Sequence, residues 1–382
     1  MRIVFIHIGN FDYKSFEQGF IGGTEYQILG LSREFSKKDH EVFIIIGDYR
    51  GSSIISLSNN INLIRVKIPA RNVDLRVSPL KALAVRLYFS KVAIDVLKKL
   101  ESDFILMTES ISSYFISDIN MPKIFITHNP PYGLLKSYMS FNYYVKLGLS
   151  LLEKLESHVF SNADYIIALN KTIMYYLYLK GFERIKVIPN GVEIYSDVKP
   201  YDGGYILYGG RLTPEKGVLY LLLAYKKLSE EEDIDQKLVI VGSGPQERLL
   251  KSYARSIKEK VIFIPFLPQH KFLKVLAGCS IFVLPSLYEA SPVTILQAMS
   301  LGKPVIASNV PGPRDLIMHG ITGFLFEPGD INALKEYLKL LIFDLNLRYK
   351  IGSKALEMVL KNYTFEKIAD EYLKLFNELK YE

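Results

Sequence analysis

A chain of 382 residues is too long for one ordinary domain and suits two of roughly 180 residues each. Hydrophobic residues make up 49%, enough for sizeable cores, yet no run is long enough to span a bilayer, and one cysteine, Cys279, excludes an internal disulfide framework. The net charge is +7, from 47 Lys and Arg against 40 Asp and Glu, and it is uneven: residues 65–99 carry 9 cations against 2 anions.

That segment points to an anionic partner on the N-terminal half, with phospholipid headgroups and phosphorylated acceptors both admissible. A solvated helix face is the other reading of the same charge. Nucleic acid is not expected, because no recognised binding motif accompanies the cations. The opening MRIVFIHIGN is a strand pattern without the basic region and cleavage site of a signal peptide. The single cysteine leans cytoplasmic, so a cytoplasmic chain is expected, or one peripheral on the inner face of the cell membrane.

In chain order, β-rich apolar runs alternate with longer helical patterns, which predicts parallel sheets with crossover helices. Strands are expected near 2–8, 41–47, 61–68, 103–109, 123–128, 164–169 and 185–189, several of them continuous in Ile, Val and Phe, as buried parallel strands are. After the first strand, Gly22-Gly23-Thr24-Glu25 opens the helix TEYQILGLSREF. Glycines there allow close backbone approach, and the free N–H groups favour an anion; a tight turn and cap is the plainer reading. The strand KIFIT ends on His128, ahead of the loop Asn129-Pro130-Pro131-Tyr132-Gly133, where a histidine has the reach to hydrogen-bond a sugar. Segment 78–100 mixes Leu and Tyr with Lys and Arg, and segment 132–152 is rich in Tyr, Phe and Leu; each suits either a membrane surface or core-facing helices. The six histidines show no metal-ligand spacing.

Pro, Gly and Asp clusters in IPNGVEIYSDVKPYDGG, residues 188–204, mark a linker. Beyond it the second half repeats the theme, with strands expected at 204–208, 237–241, 261–264, 280–284, 304–308 and 323–326. In YILYGGRLTPEKG a strand runs into a turn presenting Arg211 and Lys216 before a helix. Breaking a sugar–diphosphate bond develops negative charge on the leaving oxygens, and preorganised cations meet it without a proton donor. A surface ion pair of Lys216 with Glu215, or with an Asp or Glu elsewhere, is the alternative. Val241-Gly242-Ser243-Gly244 superficially suggests a dinucleotide fingerprint, but Glu247 stands where the third glycine belongs, so nicotinamide is not expected. After the strand SIFVLPS, Glu289 precedes a helix whose first amides, those of Val293 and Thr294, suit a phosphate. Glu289 suits sugar hydroxyls or a developing positive charge at the anomeric carbon; a neighbour of the helix cap is its other reading. The last helix, YTFEKIADEYLKLFNEL, places Phe365, Ile368, Ala369, Tyr372 and Leu375 on one face.

These residues together resemble the family 4 glycosyltransferases, retaining enzymes of the GT-B fold, densely over 204–330 and thinly over 1–200. The resemblance implies an α/β architecture of two doubly wound Rossmann-like domains facing a central cleft: 1–198 on the acceptor side, 199–363 binding the nucleotide sugar, and 364–382 a helix crossing back to the N-terminal domain. It implies transfer of a hexose from a UDP- or GDP-sugar, the donor substrate, to a glycan, lipid-linked or small-molecule acceptor, with no cofactor and no metal. Arg211, Lys216, Glu289 and His128 are then the catalytic group. Gly22, Gly23, Gly210, Gly242, Gly244, Phe266, Leu267, Val293, Thr294 and Gln297 line the nucleotide-sugar site, with Phe266 and Leu267 by the base. One departure stands out. The family places a second Glu after Glu289 and seven further residues; here that residue is Gln297, whose amide accepts through one oxygen where a carboxylate offers two. A nucleotide-sugar epimerase, or a non-catalytic nucleotide-sugar or glycan-binding protein, is the alternative.

Overall fold

The apolar runs become strands shielded on both faces. The computed structural model describes residues 1–8, 22–69, 79–138 and 143–381. Its first sheet comprises β1 (Arg2–His7), β2 (Glu41–Asp48), β3 (Ser53–Ser58), β4 (Ile61–Lys67), β5 (Phe104–Met107), β6 (Lys123–Ile126), β7 (Tyr165–Ala168) and β8 (Ile185–Val187). The order is β3-β4-β2-β1-β5-β6-β7-β8, and every pairing is parallel except that of β3 with β4. Parallel neighbours need crossovers, and helices such as Gly23–Lys37 and Pro79–Leu100 supply them. Ile3, Val4, Phe5 and Ile6 are all fully buried at the centre.

β3 is the strand that the apolar pattern misses. Its sequence SIISLS is half serine and forms an antiparallel edge, with Ile54 71% exposed, so it lacks the continuous apolar signal of its neighbours.

The second sheet comprises β9 (Tyr205–Gly209), β10 (Lys237–Val241), β11 (Val261–Ile264), β12 (Ile281–Leu284), β13 (Val305–Ser308) and β14 (Phe324–Phe326). Its order is β11-β10-β9-β12-β13-β14, with every pairing parallel, so the winding reverses between β9 and β12. In an open parallel sheet, ligands bind outside the carboxyl ends of the strands at such a reversal.

The contacts divide the chain into two units. The first holds the described residues up to Pro189 together with those from Ile368 on; the second runs from Asn190 to Lys367. The division precedes the expected boundary at 198 because Asn190 is already tied into the second unit. Its side chain donates to the Ser291 carbonyl at 2.8 Å. Val192 then exchanges backbone bonds with Tyr363 and Phe365, at 2.8 and 3.1 Å. The last helix, Phe365–Tyr381, buries Ile368, Ala369, Tyr372 and Leu375, and its Phe376 stacks on Phe104 with ring centroids 4.4 Å apart.

Candidate active site

In the second unit, the loops after β9 and β12 meet at the winding reversal. Pro214–Lys216 forms a single 3-10 turn, opened by Thr213 with proline in its first turn. Gly217 follows at φ +64°, where a side chain would also strike the Pro285 carbonyl. The Leu287 amide donates to the Glu215 carbonyl at 2.8 Å, stapling the two loops. Lys216 thereby reaches Glu289: Nζ donates to Oε1 at 2.5 Å, with the side chains 18% and 11% exposed. Ser286 Oγ donates to the same oxygen at 2.8 Å, and the Gly312 amide holds the Glu289 carbonyl at 3.0 Å.

Arg211 leaves the same β9 loop. Its carbonyl accepts from the Tyr208 hydroxyl at 2.8 Å. Burial, reinforced by the negative charges of Glu289 and Glu215, pushes that phenol above its ordinary range and keeps it a neutral donor. The Arg211 side chain is 56% exposed and lies 3.7 Å from Glu215 Oε1. Burial works against the charge of Glu215, but its own backbone N–H and the cations Arg211 and Lys216 help to hold its pKa down.

The glycines of the next loop are explained by backbone packing. Gly242, at φ +147°, faces the Gly210 carbonyl, and Gly244 faces the backbone of Leu212, so a Cβ at either would collide with main chain. Bonds of 3.0 Å from Gly210 N to Val241 O and from Leu212 N to Ser243 O zip the two loops together. These glycines shape the turn that carries Arg211. Phe266 is 49% exposed beside them, its amide donating to Ser243 Oγ at 3.3 Å, and Leu267 packs partly against the core. The helix Val293–Ser300 starts at Pro292, which offers no side-chain cap to the first-turn amides that include Val293 and Thr294. On that helix Gln297 is only 2% exposed.

In the first unit, Gly22 caps the helix Gly23–Lys37 without a side-chain bond, and the Tyr26 amide donates back to Gly22 O at 3.0 Å. Glu25 folds its carboxylate back over Gly22, into the space a Cβ would take. Its Oε1 lies 3.2 Å from His7 Nε2, and His7 Nδ1 lies 2.9 Å from Thr108 Oγ1. His128 is half-buried just beyond β6. Burial lowers its pKa to about 3, with His7 adding to the shift and Glu25 opposing it, so the ring is neutral. Arg211, Lys216 and Glu289 are thus gathered in one unit and His128 lies in the other. The motif reading did not single out His7, Thr108, Ser286 or Gly217. Polar residues at strand ends (His7, Thr108) were the available signal for two of them. Among the described residues no group of three or more His, Cys, Asp or Glu is arranged to hold a metal.

Two family models account for most of the chain: "Glycosyltransferase Family 4" matches residues 21–195 and "Glycosyl transferases group 1" matches 195–358. The chain belongs to the family 4 glycosyltransferases. An uncharacterized glycosyltransferase of Haemophilus influenzae is 28% identical to it over 93% of this chain and 96% of its own. The glycosyltransferase MJ1607 of Methanocaldococcus jannaschii is 31% identical over 46% of this chain, a match that spans less than half, 45%, of that relative's length. An Escherichia coli relative named UDP-Gal:alpha-D-GlcNAc-diphosphoundecaprenol alpha-1,3-galactosyltransferase is 33% identical over 39% of this chain and 43% of its own. Among solved structures, sucrose-phosphate synthase from Thermosynechococcus elongatus superposes with a TM-score of 0.82 at 20% identity over 99% of both chains. Anabaena HepE, solved with UDP and glucose, has a TM-score of 0.72 at 18% identity over 99% of both chains. These likenesses establish the GT-B fold, two parallel-sheet α/β domains, for this glycosyltransferase.

Proposed function

We propose that this glycosyltransferase moves a hexose from a UDP- or GDP-sugar to a glycan, lipid-linked or small-molecule acceptor, retaining the anomeric configuration and using no metal at the diphosphate. The observation that carries the reading is the Lys216–Glu289 pair beside the exposed Arg211 at the winding reversal of the second sheet. When the anomeric C–O bond of the donor breaks, its electron pair goes to the diphosphate oxygen. Arg211 and Lys216 are placed to neutralise that charge, Arg211 by two parallel N–H bonds and Lys216 as a point charge. The acceptor oxygen bonds to the anomeric carbon, and its proton leaves with the departing phosphate. The amides of Val293 and Thr294 bind phosphate oxygen, Gly22 and Gly23 bring backbone N–H groups to the donor, Gln297 bonds the ribose, and Phe266 with Leu267 flanks the base. His128 contacts the donor hexose. The nucleotide-sugar chemistry named for the Escherichia coli relative, and UDP in the HepE structure, support this choice of donor.

A lipid-linked acceptor places the protein at a membrane surface. No helix among the described residues is long and apolar enough to cross a membrane. Of the basic segment 65–99, Arg65 pairs with Asp48 and Arg86 with Glu109, so those charges are used inside the unit. Residues 70–78 lie outside the described residues, as do 139–142 of the segment 132–152. Lys81, Lys91, Lys98 and Lys99 remain exposed, as do Leu80 at 83%, Leu147 at 60% and Leu151 at 54%. Flotation with anionic vesicles is expected to show association that salt weakens, and no association would remove the membrane from the reading.

A thermal-shift panel of UDP, GDP, ADP and their hexose conjugates tests the donor. One nucleotide sugar and its parent nucleotide are expected to raise the melting temperature, with loss of the shift in Arg211→Ala. A panel in which no nucleotide stabilises the protein would overturn the proposal.

A further inference from the structure

The winding of the first sheet also reverses, between β1 and β5. A chain of polar side chains crosses that point. His7 ends β1, Thr108 follows β5, and Nδ1 of one lies 2.9 Å from Oγ1 of the other. Thr108 Oγ1 lies 2.9 Å from the Ile6 carbonyl as well. The hydroxyl has one hydrogen, which goes either to Ile6 or to His7. When it goes to His7, the neutral ring carries its own hydrogen on Nε2 and donates to Glu25 Oε1, 3.2 Å away; when it goes to Ile6, His7 Nδ1 donates to Thr108, and a hydrogen between Nε2 and Glu25 requires one further proton on the pair. The order Thr–His–Glu resembles a nucleophile chain, but Thr108 is 2% exposed, so no substrate carbon reaches its oxygen. The chain ends on Glu25, whose side chain keeps 14% exposure.

We propose that Glu25 is a sugar-hydroxyl ligand at the reversal point of the first sheet, with His7 and Thr108 as its positioning residues; this rests on the nucleotide-sugar reading above. Apolar residues would fill the same space without the cost of desolvating a carboxylate, which is hard to account for if the chain serves packing alone. A carboxylate accepts about four hydrogen bonds, and His7 and the backbone N–H of Glu25 itself occupy two of these positions. Gly22 leaves room for the carboxylate to fold back. The charges of Glu25 and His7 both act on His128, whose ring burial keeps neutral. A neutral imidazole and a carboxylate together match a hydroxyl, which donates to the carboxylate and accepts from the ring N–H. The hydroxyl belongs to the donor hexose or to the acceptor.

The full chain, labelled with ¹⁵N-histidine and assigned through His7→Gln, reports on the contact directly. A hydroxyl bonding Glu25 competes with His7 and displaces its ring-nitrogen signals. UDP-glucose and GDP-mannose are titrated against UDP and GDP alone, and methyl α-D-glucopyranoside serves as the acceptor-side probe. A shift produced by a nucleotide sugar but not by its nucleotide assigns a donor hydroxyl, and a shift produced by the glycoside assigns an acceptor hydroxyl. Either shift is expected to vanish in Glu25→Gln. In calorimetry Glu25→Gln is expected to bind the sugar-bearing probe about tenfold more weakly while free nucleotide is unaffected. Thr108→Val is expected to give a smaller loss in the same direction. A nucleotide sugar that binds without moving His7, together with a silent glycoside arm, overturns the assignment of Glu25 and leaves the proposed function intact. If no nucleotide sugar binds, the proposed function has failed, and the glycoside arm alone then upholds or overturns Glu25.

Discussion

Arg211 and Lys216 come from one short loop but differ in how much of the fold rests on them. Arg211 is 56% exposed and 3.7 Å from its acidic partner, an arrangement worth at most about 0.5 kcal/mol. Arg211→Ala is therefore expected to leave thermal stability nearly unchanged while slowing nucleotide release about a hundredfold. Lys216→Ala strands Glu289, only 11% exposed, without its cation, and is expected to cost about 2–3 kcal/mol as well as activity. Parallel unfolding and turnover measurements separate the two, and a large stability loss in Arg211→Ala would make its role structural. Gln297 raises a second question of burial. At 2% exposure an ionised carboxylate there is poorly solvated, so Gln297→Glu is expected to lower the stability of the ligand-free protein by about 1–2 kcal/mol. Nucleotide is expected to restore the loss, with donor affinity kept or tightened. Melting curves with and without UDP or GDP check this, and donor binding weakened tenfold would show that Gln297 has another role. The charges of Arg211, Lys216 and Glu289 were legible in the sequence because each stands at a strand–turn–helix junction. Which carboxylate Lys216 would meet was not, since Glu289 lies far along the chain and is brought near by pairing of β9 with β12.

The short helix Tyr132–Tyr138, which follows His128, is held at its start by Glu156: the Tyr132 amide donates to Oε2 at 2.8 Å. Burial, then the negative charges of Glu109 and Glu153, raises the Glu156 pKa from 4.5 to about 8, against the opposing bonds from Tyr132 and Ser110. The folded state therefore holds a proton that the unfolded state releases, and this contribution to stability is lost as pH rises from 4.5 to 8. His128 acts with the opposite sign: its pKa falls from 6.5 to about 3, so its contribution is lost as pH drops through that range. The two offset each other between 4.5 and 6.5, and the fall due to Glu156 is uncovered from 6.5 to 8. Glu156→Gln is expected to flatten the stability profile over that upper interval in denaturant titrations, and an unchanged slope would show that Glu156 is already ionised. At this scale the glycines were legible as turn formers, and Gly242 and Gly244 proved to pack against another loop's backbone. That contact lies between βα loops distant in sequence, which no local pattern encodes.

Over the whole molecule, the proposed donor site loads the second unit through Arg211, Lys216 and Glu289. Nucleotide at a hundredfold excess over its dissociation constant adds about 2.7 kcal/mol to the state it binds. Amide exchange is expected to slow chiefly over residues 209–217 and 285–300, with the protection abolished by Arg211→Ala; uniform slowing along the chain would contradict a site in that unit. The alternation of apolar strands and helical segments determined, from the sequence alone, two parallel α/β sheets, because buried parallel strands must be apolar on both faces and each crossover needs a helix of its own; the family resemblance rested on the motifs around Arg211, Lys216 and Glu289. Only the tertiary structure decided the strand order, the antiparallel edge at β3, the pairing of Lys216 with Glu289, and the His7–Thr108–Glu25 chain. These depend on which strands lie side by side, and adjacency in a sheet is set by long-range packing rather than by the local pattern of any one segment.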